Sequence, residues 1–269
     1  MEFMEYREPI ELFIDDKSAL DYGIKTYSSN ILSSPARKLE FIEIEGRKNG
    51  SLTIDNGYED FILKLECVLV NENKEETMSD LARRAKNFLL SCNNCKIRTS
   101  EDIDFYLVGT YTESVDIEEA IANFGIFQAQ FRCKPYRYSE NETNIEITEQ
   151  NTTINNSYCD TDPVIVIIGS GDITLKINSQ QLILKDVEDT ITINCQTMNA
   201  EKISSLNEVI NQNQKMYSDF PVIESGNNTI SWILGENSSL TKINISFREA
   251  VIWSQEFMMK ILLNMIAMV

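Results

Sequence analysis

Histidine is absent from all 269 residues. That removes Ser-His-Asp and Cys-His nucleophilic mechanisms and every metal site built on imidazole, so any catalysis would fall to carboxylates or lysine. Basic residues are also scarce: 24 Lys and Arg stand against 42 Asp and Glu, a formal net charge of −18. Nucleic acid and anionic lipid both need a basic footprint, so neither is expected as a direct ligand, and no membrane is expected as a partner. The opening residues Met1, Glu2, Phe3, Met4 and Glu5 lack the basic flank and apolar run of a secretory signal, which predicts a chain made in the cytoplasm. Six cysteines are too few for a disulfide scaffold at this length, and the apolar settings of Cys67 and Cys133 predict buried free thiols. Cys92 and Cys95 make a single CxxC. A structural zinc site would need a second pair or histidines, and a redox motif would need a helix to start at the thiols, where the pattern has one ending. No metal or other cofactor is expected.

What the chain does have is β patterning, at a length that suits two domains of roughly 100 to 150 residues each. In 124–138, Phe127, Ala129, Phe131 and Cys133 alternate with Gln128, Gln130, Arg132 and Lys134, the period of a strand with one buried face. Pro135 cannot donate to a ladder, so regular pairing is expected to stop there. The polar run 139–144 then reads as the exit from a first domain. Upstream, Ile10, Leu12 and Ile14 alternate in a short strand, and Asp21-Tyr22-Gly23 marks a turn. Ile42 and Ile44 alternate with glutamates until Gly46, and Leu52 and Ile54 resume after Gly50, which predicts a hairpin around Gly46-Arg47-Lys48-Asn49-Gly50. A continuous strand is expected over 61–70. The period changes over 75–90, where Met78, Leu81, Ala82, Ala85, Phe88 and Leu89 fall at helical spacing, with Thr77 and Asp80 as capping residues. Strands near 96–98 and 105–111 complete the first part.

In the second part, Pro163 leads into an apolar run over 164–168, and Gly169-Ser170-Gly171-Asp172 reads as a tight turn into Ile173, Leu175 and Ile177. Further short strands are expected at 182–184, 190–195, 229–234, 242–247 and 250–253, with 200–214 a loop or weak helix. Short strands at regular spacing joined by turn residues predict an antiparallel sandwich.

The order of these motifs resembles the distal tail protein (Dit) family of siphovirus-type phage tail components. The resemblance is carried by Arg37 before a strand, the turn Gly46-Arg47-Lys48-Asn49-Gly50, a helix after a long strand, and Phe131-Arg132-Cys133-Lys134-Pro135-Tyr136. It continues through Pro163, Gly169-Ser170-Gly171, Ile193-Asn194-Cys195, Phe220-Pro221-Val222, Gly226-Asn227-Asn228-Thr229-Ile230 and Trp253. Asn194 stands where the family usually has an acidic residue. The resemblance implies a mainly β chain: an N-terminal split β-barrel with one packed α-helix over 1–138, and a C-terminal galectin-like antiparallel β-sandwich over 139–253. An apolar C-terminal extension over 254–269 lies outside the pattern. It also implies a job in the virion tail tip, as a non-enzymatic homo-hexameric ring joining the tail tube protein to a tail-tip hub protein of the tail-associated lysin kind. DNA would only pass through the lumen. Host cell-wall saccharide is the alternative partner, with the second domain as a carbohydrate-binding module.

Other readings of single features are weaker. The glycines at Gly46, Gly50, Gly169 and Gly171 could cradle an anion, but no helix follows to supply a dipole, so geometry is the expected role, as for Pro135, Pro221 and Gly226. Trp232 and Trp253 could stack a sugar, yet both sit in apolar strand patterns that favour core. Glu118-Glu119 and Asp186-Val187-Glu188-Asp189 are carboxylate pairs in sequence only, and such clusters are usually solvated. The segment 257–269, with Phe257, Met259, Leu262, Leu263 and Ile266, reaches about 20 Å as a helix, short of a bilayer core of about 30 Å. It reads either as a helix that docks on a partner or as a disordered or self-packed end.

Overall fold

Period-two patterning builds most of the structure, a computed structural model that describes residues 9–31, 33–46, 48–72, 76–112, 125–204 and 208–252. Among these residues the architecture is mainly β with one α-helix, and the chain divides into two units between Arg137 and Tyr138. Met1 to Glu5, Arg47, Glu75, Glu118, Glu119, Phe124, Trp253 and the segment 257–269 lie outside the described residues.

In the first unit the strands are β1 (Leu12–Ile14), β2 (Lys17–Ser18), β3 (Ile24–Ser29), β4 (Arg37–Ile42), β5 (Leu52–Tyr58), β6 (Phe61–Leu69), β7 (Cys95–Thr99), β8 (Asp102–Tyr111) and β9 (Ile126–Ile147). Seven of them form one sheet in the order β2-β1-β7-β8-β9-β6-β3. The sheet closes on itself where Ile10, just before β1, donates its N–H to the Thr26 carbonyl of β3 at 2.7 Å. Closure of this kind removes the exposed ladder edge an open sheet would leave. β6 and β9 pair from Phe61 with Cys133 to Val68 with Ile126, so Leu63, Leu65 and Cys67 share a face with Phe131, Ala129 and Phe127. That face carries the core.

The helix α1 (Met78–Leu90) starts three residues later than the periodicity predicts, because Thr77 is extended and its hydroxyl caps the Asp80 N–H at 3.2 Å. Leu81, Ala82, Ala85, Phe88 and Leu89 are buried, and Phe88 stacks on Tyr22 with centroids 4.1 Å apart. After Ser91 the chain turns sharply enough to bring the Cα atoms of Cys92 and Cys95 to 5.1 Å, and the two are joined as a disulfide. The expectation of free thiols therefore fails for this pair and holds for Cys67, Cys133, Cys159 and Cys195.

The second unit contains β10 (Thr152–Asn156), β11 (Val164–Ile177), β12 (Gln180–Val187), β13 (Thr190–Asn194), β14 (Asn199–Ile203), β15 (Val209–Asn211), β16 (Gly226–Leu234) and β17 (Ser239–Val251). One sheet runs β15-β14-β13-β11-β17, with β17 beside the second half of β9, where Lys242 pairs with Glu146 at 2.7 Å. The other joins β10, β16, β11 and β12. Between them lies a core rich in isoleucine, including Ile165, Ile167, Ile193 and Ile245 from one sheet and Ile173, Leu175, Leu184 and Ile230 from the other.

Three sequence expectations change here. Gly169-Ser170-Gly171 is not a turn between two strands but the corner of one strand, β11, whose first half pairs with β13 and β17 and whose second half pairs with β12 and β16. Pro135 does not end β9: pairing with β6 does stop at Cys133, yet the backbone stays extended to Ile147, through the polar run 139–144. The second half of β9 is held from across the chain, with Arg248 donating to the Ser139 and Glu140 carbonyls. Residues 200–214 are neither loop nor α-helix. They contain β14, β15 and a short 3-10 turn at Asn213–Lys215. Strands β3 and β10 carry few apolar residues and escape a pattern search.

Candidate functional site

The strongest candidate is the β4–β5 hairpin, a two-stranded sheet separate from the larger sheet of its unit. Its register sets Leu39 opposite Asp55, Glu40 opposite Ile54, Phe41 opposite Thr53 and Ile42 opposite Leu52. Cross-strand partners share a face, so Leu39 and Phe41 crown one side while Ile42, Leu52 and Ile54 crown the other. Among the described residues nothing covers either side. Phe41 is 63% exposed, and Leu39, Ile42, Ile44, Leu52 and Ile54 lie between 36% and 47%. Together these residues present on the order of 400–500 Å² to solvent, comparable to the largest patch of an ordinary monomer.

The base of the hairpin is tied down, unlike its arms. Glu59 N–H donates to the Ala36 carbonyl at 2.9 Å, Arg132 pairs with Asp60 at 2.9 Å, and Tyr58 meets Tyr136 edge-on at 6.2 Å. Arg37 hydrogen-bonds Tyr58 and lies 3.8 Å from Asp55, which together push its pKa up from the ordinary value. A register shift between Arg37 and Leu39 places Asn56 and Gly57 in a bulge, where Gly57 takes a φ of +83° and donates its N–H to Asp55 Oδ1 at 3.0 Å. At the far end Gly46 and Gly50 adopt φ of +80° and +75° in open solvent. No helix follows them.

The remaining sequence-marked residues are scattered through the fold. Pro135 lies within β9, and Gly169 and Gly171 form the β11 corner. A Cβ on Gly169 would collide with the Ser239 carbonyl, and Gly171, at φ +85°, abuts Ser238. Pro221 is buried beside Val222, which the Gln180 side chain grips like a neighbouring strand, accepting its N–H at 2.9 Å and donating to its carbonyl at 3.0 Å. Gly226 opens β16 at φ +92°. Sequence reasoning missed what holds that loop: fully buried Asn228 accepts from the Glu224 N–H and donates to the Glu224 and Gly226 carbonyls. The Gly226-Asn227-Asn228 run was its only signal.

Trp232 points inward, on the face it shares with fully buried Leu175. Asp186, Glu188 and Asp189 flank a turn in which Asp186 and Asp189 take positive φ, and Lys215 and Lys202 pair with Glu188 and Asp189. That arrangement neutralises surface charge. Among the described residues no cluster of three or more potential ligands could hold a metal ion, and no helix is long and apolar enough to cross a membrane.

A second feature missed by sequence is the ion pair of Arg137 and Asp102. Arg137 has no solvent exposure, yet its Nε lies 3.5 Å from Asp102 Oδ2 and its guanidinium 5.7 Å from the centroid of the Phe61 ring. Burial pulls its pKa down to about 10, against the opposing pull of Asp102. Nothing in the local sequence distinguishes it from the exposed Arg132 five residues earlier.

No family model matches the chain, and no curated protein matches it in sequence. Solved structures do match in fold. The Dit protein (gp 19.1) of phage SPP1, described as a paradigm of the hub adsorption apparatus of phages infecting Gram-positive bacteria, superposes with a TM-score of 0.68 at 16% identity, covering 91% of this chain and 100% of that one. Chains of the phage p2 baseplate in its activated conformation, with strontium or with calcium, superpose with a TM-score of 0.50 at 12% and 13% identity, covering 89% and 90% of this chain and 97% of theirs. Along most of its length, the chain has the fold of a phage distal tail protein.

Proposed function

We propose that this protein is a structural component of the tail tip of a bacteriophage or phage-tail-like particle, in which six copies close into a ring between the tail tube and the tail-tip hub. The observation that carries the reading is the β4–β5 hairpin, apolar on both faces and exposed on both. An isolated two-stranded sheet is marginal in water, and one that offers apolar side chains in two directions is suited to lie between neighbours. A head-to-tail contact of this kind is heterologous and closes into a ring when the rotation permits. The fold shared with SPP1 Dit supports the tail-tip location. The net charge of −18 suits a ring through which DNA passes without adhering. The work is mechanical and not enzymatic; tube protein and hub protein are the partners.

Light scattering of the full chain over a range of concentrations tests this. A mass of six protomers is expected, and Phe41→Glu, at an exposed position, should abolish it while leaving the circular dichroism unchanged. A wild-type chain that is monomeric at every concentration would overturn the ring. A ring that tolerates Phe41→Glu and Ile54→Glu together would remove the hairpin from its interface.

A further inference from the structure

Only two asparagines in the chain precede glycine, Asn49 and Asn56, and both belong to the β4–β5 hairpin and its connection. Both are exposed. Asparagine loses its side-chain amide when the backbone nitrogen of the next residue attacks Cγ: a new N–C bond forms, the C–NH2 bond breaks, and ammonia leaves a succinimide. Water then opens the ring at either carbonyl, yielding aspartate or isoaspartate. One water is consumed and one ammonia released, with no oxidant or reductant. A Cβ on the attacking residue obstructs the approach, so glycine, with the freest backbone, allows it most readily.

The two sites differ in what holds the attacking nitrogen. The Gly57 N–H donates to Asp55 Oδ1 at 3.0 Å, inside strand β5, which fixes that nitrogen with its hydrogen committed to the carboxylate. At Gly50 no described residue accepts the N–H, and the space around its Cα is open. We propose that Asn49 is a site of spontaneous amide loss, and that Asp55 guards Asn56 against the same reaction. Each event at Asn49 adds a negative charge to the end of the hairpin, and the isoaspartate product also lengthens the backbone by one methylene. If the hairpin docks on a neighbouring copy, a point that rests on the function proposed above, chains left unassembled age out of the pool able to assemble.

The test is incubation of the full chain at mildly alkaline pH in water enriched in oxygen-18, followed by peptide mass mapping over time. Label is expected at residue 49 first, with residue 56 about tenfold slower, the factor that one net hydrogen bond sets. Asp55→Ala should raise the rate at residue 56, and Asp55→Asn, which keeps an accepting oxygen, should leave it slow. Equal rates at the two sites in the wild type overturn the guard. A slower reaction at residue 56 in Asp55→Ala also overturns it, since the carboxylate would then be acting as a base. No label at residue 49 overturns the site itself. These outcomes concern the isolated chain and stand whether or not a ring forms, which the light-scattering mass decides separately.

Discussion

Replacing Asp102 with Asn should be among the most damaging single changes in the first unit, although it alters one atom. Arg137 has no solvent exposure and Asp102 is nearly as buried, so neither can turn to water when the other's charge goes. With its pKa lowered only to about 10, the guanidinium remains charged at neutral pH. The mutation therefore takes the carboxylate away from a cation that stays buried and charged. Breaking a buried ion pair in this way costs about 3–5 kcal/mol, which in a unit of this size lowers Tm by roughly 10–15 °C. The Phe61 ring recovers only a part of that. The double variant Asp102→Leu, Arg137→Met removes both charges and should return to within about 1–2 kcal/mol of wild type. Urea unfolding of the full chain, followed by circular dichroism for Asp102→Asn and the double variant, measures both. A deficit below 1 kcal/mol in Asp102→Asn would refute the reasoning.

Three further outcomes are expected. Gly171→Ala should cost about 2–4 kcal/mol, because φ of +85° and contact with Ser238 add together, whereas Gly50→Ala, with similar φ in open space, should cost about 1 kcal/mol; chemical denaturation compares them. Cys67, Cys133 and Cys195 are buried, with pKa values raised to about 11, 12 and 12, so a thiol reagent at neutral pH should leave them untouched in the native chain; unfolding should expose four thiols without reductant and six with it. Thr77→Ala removes the cap on the Asp80 N–H and should lower stability by about 1 kcal/mol, read as a fall in Tm.

How far the structure could be read in advance depends on whether the cause of each element is local. Helix α1, strand β6 and the β4–β5 hairpin follow from side-chain period within a dozen residues, and all three were legible. The β11 corner was not, because glycine serves equally at a turn and where another backbone passes close; only the presence of Ser238 and Ser239 decides between them. Strand β9 continues beyond Pro135 because Arg248, over a hundred residues away, holds the carbonyls of Ser139 and Glu140. The closure of Ile10 onto Thr26 and the burial of Arg137 are non-local in the same way. In the candidate site the apolar alternation of the hairpin was visible, while its exposure on both faces was not, since alternation normally signals that one face is covered.

The β11 corner also governs how the second unit carries load. Two sheets that meet only through apolar side chains can slide, because hydrophobic contact has no preferred direction. Here one continuous strand belongs to both, paired with β13 up to Ile168 and with β17 through Ser170, then with β12 from Gly171 and with β16 from Ile173. Displacing one sheet against the other must stretch covalent backbone or shear four ladders at once, so the sandwich resists sideways force as a welded bracket does, and the two glycines set the angle of the bracket.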